Sequence, residues 1–131
     1  RDPDQARYKR LSKLLDNSHI ERSFWANGYK PLSTLGQFVP QVKIGPYRVD
    51  FTLTNIPGVP RLKVVIELDG HEFHSTPKQR NSDTERIRKL QKLRWQIITF
   101  TGSQINSDVR GCVRETADLV GEFSELFRWM R

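Results

Sequence analysis

A chain of 131 residues with 36% hydrophobic residues is the size of one domain, long enough to bury roughly two thirds of its unfolded surface without a metal or disulfide staple. Its one cysteine, Cys112, excludes an internal disulfide framework and, falling in an apolar pattern, predicts a buried thiol in a reducing, cytoplasmic setting. No apolar run approaches the roughly 20 residues of a membrane span, and the formal charge of +7 points to a polyanionic partner.

In chain order, residues 4 to 16 carry Ala6, Leu11, Leu14 and Leu15 at helical spacing. Ser18-His19-Ile20-Glu21 has the form of a capping box, and Ile20, Phe24 and Trp25 form an apolar stripe that Gly28 is expected to end. Phe38 to Ile44 reads as a strand. The segment Tyr47 to Asp69 then folds back around Pro57-Gly58-Val59-Pro60 as a hairpin. Thr76-Pro77, or alternatively Ser82-Asp83-Thr84-Glu85, starts a helix whose Ile87, Leu90 and Leu93 should face inward and whose lysines and arginines should face out. Gln96 to Thr101 is a short strand closed by Gly102, and from Val109 to Met130 the apolar residues trace a long amphipathic helix. A helix between two strands is a βαβ crossover, so the last strand should run parallel to its partner in a mixed α/β sheet flanked by helices.

Hairpin symmetry about Gly58 and Val59 would set Asp50 opposite Glu67. Side chains alternate along a strand, so Arg48, Asp50 and Thr52 should share a face with Lys63, Val65, Glu67 and Asp69. Val49, Phe51 and Leu53 against Val64, Ile66 and Leu68 should make the other face wholly apolar. Asp50, Glu67 and Asp69 would then lie within reach of a single cation. The same spacing also fits the solvated face of an antiparallel sheet, with Arg48 pairing across to Asp69.

Positive charge is concentrated in two segments. Residues 78 to 94 hold Lys78, Arg80, Arg86, Arg88, Lys89, Lys92 and Arg94 against Asp83 and Glu85, and the first thirteen residues add a second basic stretch. Such surface attracts phosphate backbones irrespective of base sequence, although a charge run taken alone is more often a solvated helix face.

These residues resemble a family. Asp50 followed by Glu67-Leu68-Asp69-Gly70, in a helix, three-strand, helix, strand frame with Glu21 on the preceding helix, resembles the PD-(D/E)XK nuclease superfamily. Val49-Asp50-Phe51, Ile66-Glu67-Leu68-Asp69-Gly70, His74, Asp83, Arg86 and Trp95-Gln96-Ile97-Ile98-Thr99-Phe100 are similar to the very-short-patch-repair (Vsr) endonuclease-like group. Val49 stands where the hallmark has a proline, and Asp69 where it has a lysine, a replacement typical of the Vsr-like group. The resemblance spans approximately residues 18 to 105 and implies a restriction-endonuclease-like αβββαβα core within one domain, 1 to 131. With no methionine at Arg1, a domain cut from a larger protein is expected, and helicase-linked relatives make a helicase one such partner.

The implied activity is metal-dependent hydrolysis of DNA phosphodiester bonds. Mg²⁺ (or Mn²⁺) takes oxygen ligands and keeps several waters, which suits Asp50, Glu67 and the Leu68 carbonyl, with Asp69 as a third ligand or an outer-shell carboxylate. Without the usual lysine, His74 is the expected general acid or base, with His71 the second choice. Glu21 is divided between helix cap and active-site carboxylate. Arg80, Arg86, Arg88, Lys89 and Lys92 would hold DNA through its phosphates. The alternative is a catalytically silent nuclease-fold module that binds DNA without cutting it.

Overall fold

The computed structural model describes residues 3–16, 18–69 and 76–130. Helix α1 (Pro3–Ser12) and helix α2 (His19–Ser33) precede strands β1 (Gln37–Ile44), β2 (Tyr47–Thr54) and β3 (Lys63–Asp69). Helix α3 (Pro77–Lys92), strand β4 (Trp95–Thr101) and helix α4 (Gly102–Trp129) follow. The strands form one sheet in the order β1-β2-β3-β4. β1 pairs with β2 and β2 with β3 in antiparallel fashion, and β4 runs parallel to β3, as the crossover through α3 requires. The α/β fold, its element order and the restriction-endonuclease-like core therefore agree with the sequence reading.

Local chemistry accounts for most element ends. Thr76 caps α3 through a full capping box with Gln79 and Pro77 at the first turn, so the earlier of the two proposed starts is the real one. α1 is shorter than expected and ends at Ser12. α2 does not stop at Gly28 but runs on to Ser33 with Pro31 in its last turn. Gly28 is a packing residue there, since a Cβ on it would lie 3.4 Å from Val113 Cγ2 of α4 and 3.3 Å from Leu32 Cδ1. Gly102 does not close β4 in a loop but opens α4, whose Thr101 cap pairs with Gln104. Helical geometry breaks at Asp108 (φ −160, ψ 77), and the helix resumes with Gly111 N–H donating to Asp108 Oδ1 at 2.9 Å. The expected helix from Val109 is this second segment.

The hairpin register matches the symmetry argument, with Phe51↔Ile66, Thr52↔Val65 and Leu53↔Val64 paired. The facial assignment needs a correction. Phe51, Leu53, Val64 and Ile66 pack with Phe24, Trp25 and Phe38 on the α2 and α4 side. Val49 instead packs with Val65 and Leu90 on the α3 side, joined by Val42. Residues two apart in β2 thus face opposite ways, and so do Phe38 and Val42 in β1 although both are even-numbered. The reversal falls on one rung. Pro40↔Phe51 and Val42↔Val49 are paired, but Gln41 and Asp50 between them are not, and Gln41 has the left-handed φ of 53. α3 covers part of the side expected to be polar, burying Val49 and Val65 against Leu90, while Arg48 and Asp69 stay exposed. Leu93, expected inside, caps α3 and is 51% exposed. Cys112 is buried, as predicted, and burial raises its thiol pKa.

Candidate active site

The reversal at Gln41 and Asp50 shapes the site. Ladder pairing between β2 and β3 stops at Phe51↔Ile66, and Asp50 Oδ2 accepts a hydrogen bond from the Leu68 backbone N–H at 2.8 Å. A side-chain carboxylate thereby bridges the two strands where backbone pairing has ended. Parallel pairing with β4 continues through Glu67↔Thr99 and Asp69↔Thr101, which keeps the end of β3 in place.

Glu67 is held by Arg86 of α3, whose guanidinium donates to Glu67 Oε1 and to the Arg48 carbonyl, the latter at 3.0 Å, while lying over the Tyr47 ring. Arg86 was expected on the outer face of α3. It turns inward because it stands one helical turn before the buried Leu90, on the side that meets the sheet. Burial and the charge of Asp50 raise the Glu67 carboxyl from its ordinary 4.5 to about 8 against the opposing pull of Arg86.

Glu21 turns its carboxylate toward β1. Its backbone N–H meets the Ser18 hydroxyl at a long 3.5 Å, while its carboxylate accepts from the Asp16 N–H at 2.6 Å and from the Gln41 amide at 2.7 Å. The residue is 2% exposed, and burial, with a smaller contribution from the charge of Asp50, raises its carboxyl to about 7. A chain of three carboxyl groups, Glu21, Asp50 and Glu67, thus interacts through Asp50.

Asp50, Glu67, Leu68 and Asp69 line a cleft of about 590 Å³, walled by Asp83, Arg86 and Ile87 on one side and by Thr99, Phe100, Thr101 and Gln104 on the other. Asp69 is at the exposed end of β3. Among the described residues, no three His, Cys, Asp or Glu side chains converge closely enough to hold a metal by themselves. The donor set that is present, carboxylates and a backbone carbonyl, is that of a hard divalent cation with water completing its shell. His74, His71 and Gly70 lie outside the described residues. Arg80, Arg88, Lys89 and Lys92 are exposed on α3, with Lys89 paired to Glu85 at 3.5 Å.

Gln41, Thr99 of β4 and Gln104 of α4 were not anticipated. The one clue to Gln41 was Pro40 in the middle of a strand, a residue confined to edges and irregular positions. No helix among the described residues is long and apolar enough to cross a membrane. No curated protein and no solved structure matches the chain. The family model REase_MTES_1575, a restriction-endonuclease-like family, matches residues 24–119, the stretch that supplies every strand, Asp50, Glu67 and Asp69. This chain belongs to that family and is a nuclease-fold domain of the PD-(D/E)XK-like superfamily.

Proposed function

We propose that this domain is a metal-dependent DNA endonuclease, hydrolysing phosphodiester bonds with Mg²⁺ or Mn²⁺, and that its nearest chemistry is Vsr-like. One observation carries the reading: carboxyl groups from two neighbouring strands, Asp50 and Glu67, stand close enough for one to raise the other at the floor of a cleft walled by the basic helix α3. Buried repulsion of this kind is unfavourable to the fold and is relieved by a cation.

Asp50, Glu67 and the Leu68 carbonyl would hold the ion, with Asp69 at the mouth as a further ligand or an acceptor for water. A bound divalent ion supplies Lewis-acid polarisation of the phosphoryl oxygen, an activated water and neutralisation of the leaving oxygen. Glu21 supports Asp50 from behind. Arg80, Arg88, Lys89 and Lys92 would grip phosphates without reading bases, and Arg86 would compensate charge within the cleft. His74 follows β3 in sequence, where a general acid or base would transfer a proton to or from the reacting oxygens. A parent protein with a second domain, such as a helicase, would direct the nuclease to its target.

A second reading is favoured by the guanidinium already seated on Glu67. Arg86 would there replace the metal, leaving a silent DNA-binding module. Supercoiled plasmid incubated with Mg²⁺ or Mn²⁺, with Asp50→Ala as control and a gel shift in parallel, separates the two. Cutting lost in the control supports the nuclease. A shift without cutting supports the silent module, and neither result refutes both.

A further inference from the structure

Gln41 has two unusual properties that coincide on one residue. Its φ of 53 is left-handed, uncommon for a residue with a side chain, and it occurs inside a strand whose neighbours on both sides are regularly paired. Its amide also donates to Glu21 Oε1 at 2.7 Å, across from helix α2, at the rung where Asp50 should have been its backbone partner. The left-handed conformation reverses the facing of β1, and β2 reverses on the same rung. Glu21, Gln41 and Asp50 are brought together by that event. Strained backbone of this sort persists where the surrounding structure over-determines it, and such places concentrate at functional sites.

We propose that Gln41 is a positioning residue: by hydrogen-bonding Glu21 beside Asp50 and leaving Asp50 without a β1 partner, it preassembles the carboxylates for a divalent ion. Two roles are joined in it. The amide fixes the direction of Glu21, and the backbone frees Asp50 to reach across to Leu68. Gln41 touches neither nucleic acid nor the reacting atoms in this account and acts only through Glu21 and Asp50. The inference rests on the proposal that these carboxylates hold a divalent ion, but not on the proposal that the domain cuts DNA.

Two variants keep the left-handed backbone and remove the amide contact to Glu21. Gln41→Gly accepts a positive φ without strain and removes the amide. Gln41→Asn tolerates the left-handed region and keeps an amide, but is one methylene too short to reach Glu21. Both should fold, with thermal midpoints within about 3 °C of the wild type. Calorimetric titration with Mn²⁺ should show binding roughly 10- to 100-fold weaker in both, as expected when the partner that orients a ligand shell is lost. If the wild type cuts plasmid, kcat should fall while KM for DNA stays unchanged, because the α3 cations are untouched.

Unchanged Mn²⁺ affinity in either folded variant would overturn the inference, as would absence of Mn²⁺ binding by the wild type. Collapse of both variants would also overturn it, since Gln41 would then serve folding alone. A wild type that binds Mn²⁺ but does not cut would refute the nuclease reading and still leave the affinity comparison to decide the role of Gln41.

Discussion

Asp50 accepts a hydrogen bond from the Leu68 backbone N–H at 2.8 Å, diagonally across the point where backbone pairing between their strands has ended. An N–H left bare where two strands part would carry a desolvation penalty, and the carboxylate removes it. The same carboxylate repels Glu21 and Glu67. Asp50→Asn keeps an oxygen for Leu68 and removes the charge. We therefore expect the metal-free protein to melt about 3–5 °C higher in this variant, while plasmid cleavage falls by at least ~10³-fold. A lower melting point would show that the Asp50 charge stabilises the site instead of straining it.

The raised carboxyls dictate a pH dependence. Glu21 at about 7 and Glu67 at about 8 both exceed their ordinary 4.5, so the folded state binds more protons than the unfolded one between those limits. Stability from these groups is complete below about pH 4.5 and is lost as pH rises through 7 and 8. Without metal, the part of the melting profile due to these carboxyls should fall by on the order of 5 °C between pH 5.5 and 8.5. Glu67→Gln should flatten that fall. Mn²⁺, which requires the ionised carboxylates, should restore stability most at the alkaline end. A profile equally steep in Glu67→Gln would remove Glu67 as its source.

Arg86 joins three elements by contacting Glu67 of β3, the Arg48 carbonyl and the Tyr47 ring of β2 from helix α3. Arg86→Met preserves much of the stem and deletes the donors, leaving Glu67 without its cation. The expected loss is about 1–3 kcal/mol by urea denaturation, less than for a fully buried pair because both side chains retain some solvent contact. A variant as stable as the wild type would relegate the pair to the surface class.

For the exposed cations of α3, the expectation concerns salt. Arg88→Ala with Lys92→Ala should weaken duplex DNA binding without changing the melting point, and should reduce the slope of log affinity against log salt concentration by about 2. An unchanged slope would place the DNA on another surface.

Gly28 lets α2 approach α4 closely. Gly28→Val would force branched methyls against Leu32 and Val113, and a loss of about 2–3 kcal/mol in chemical denaturation is expected. Full retention of stability would mean that the two helices can separate at little cost.

Turn chemistry made the hairpin register legible, since Pro57, Gly58 and Pro60 pin the reversal and the pairing of Phe51 with Ile66 follows by counting. The crossover through α3 was equally readable, because its cap and apolar stripe lie between two short apolar runs. The facing of Val49 was not. Phe38, Pro40, Val42 and Ile44 in β1, like Val49, Phe51 and Leu53 in β2, show the even spacing of uninterrupted strands, and residue type does not announce a left-handed glutamine. Gly28 misled for a related reason: glycine marks both helix ends and close helix contacts. Of the site, Asp50, Glu67 and Asp69 were visible as a pattern. The inward turn of Arg86 could have been inferred from its place one turn before Leu90. The Gln41 amide on Glu21 could not, because it depends on tertiary proximity between α2 and β1.

Pro40 and Gln41 sit on β1, one of the two edge strands of the sheet. An outer strand offers its unused backbone groups to any passing chain, and proteins blunt that hazard with proline and local distortion. Here one lacks an N–H and the next is twisted out of the extended form, so an intruding strand would find the template interrupted midway. The irregularity at Gln41 thus also interrupts the edge of β1 as a template for edge-to-edge polymerisation.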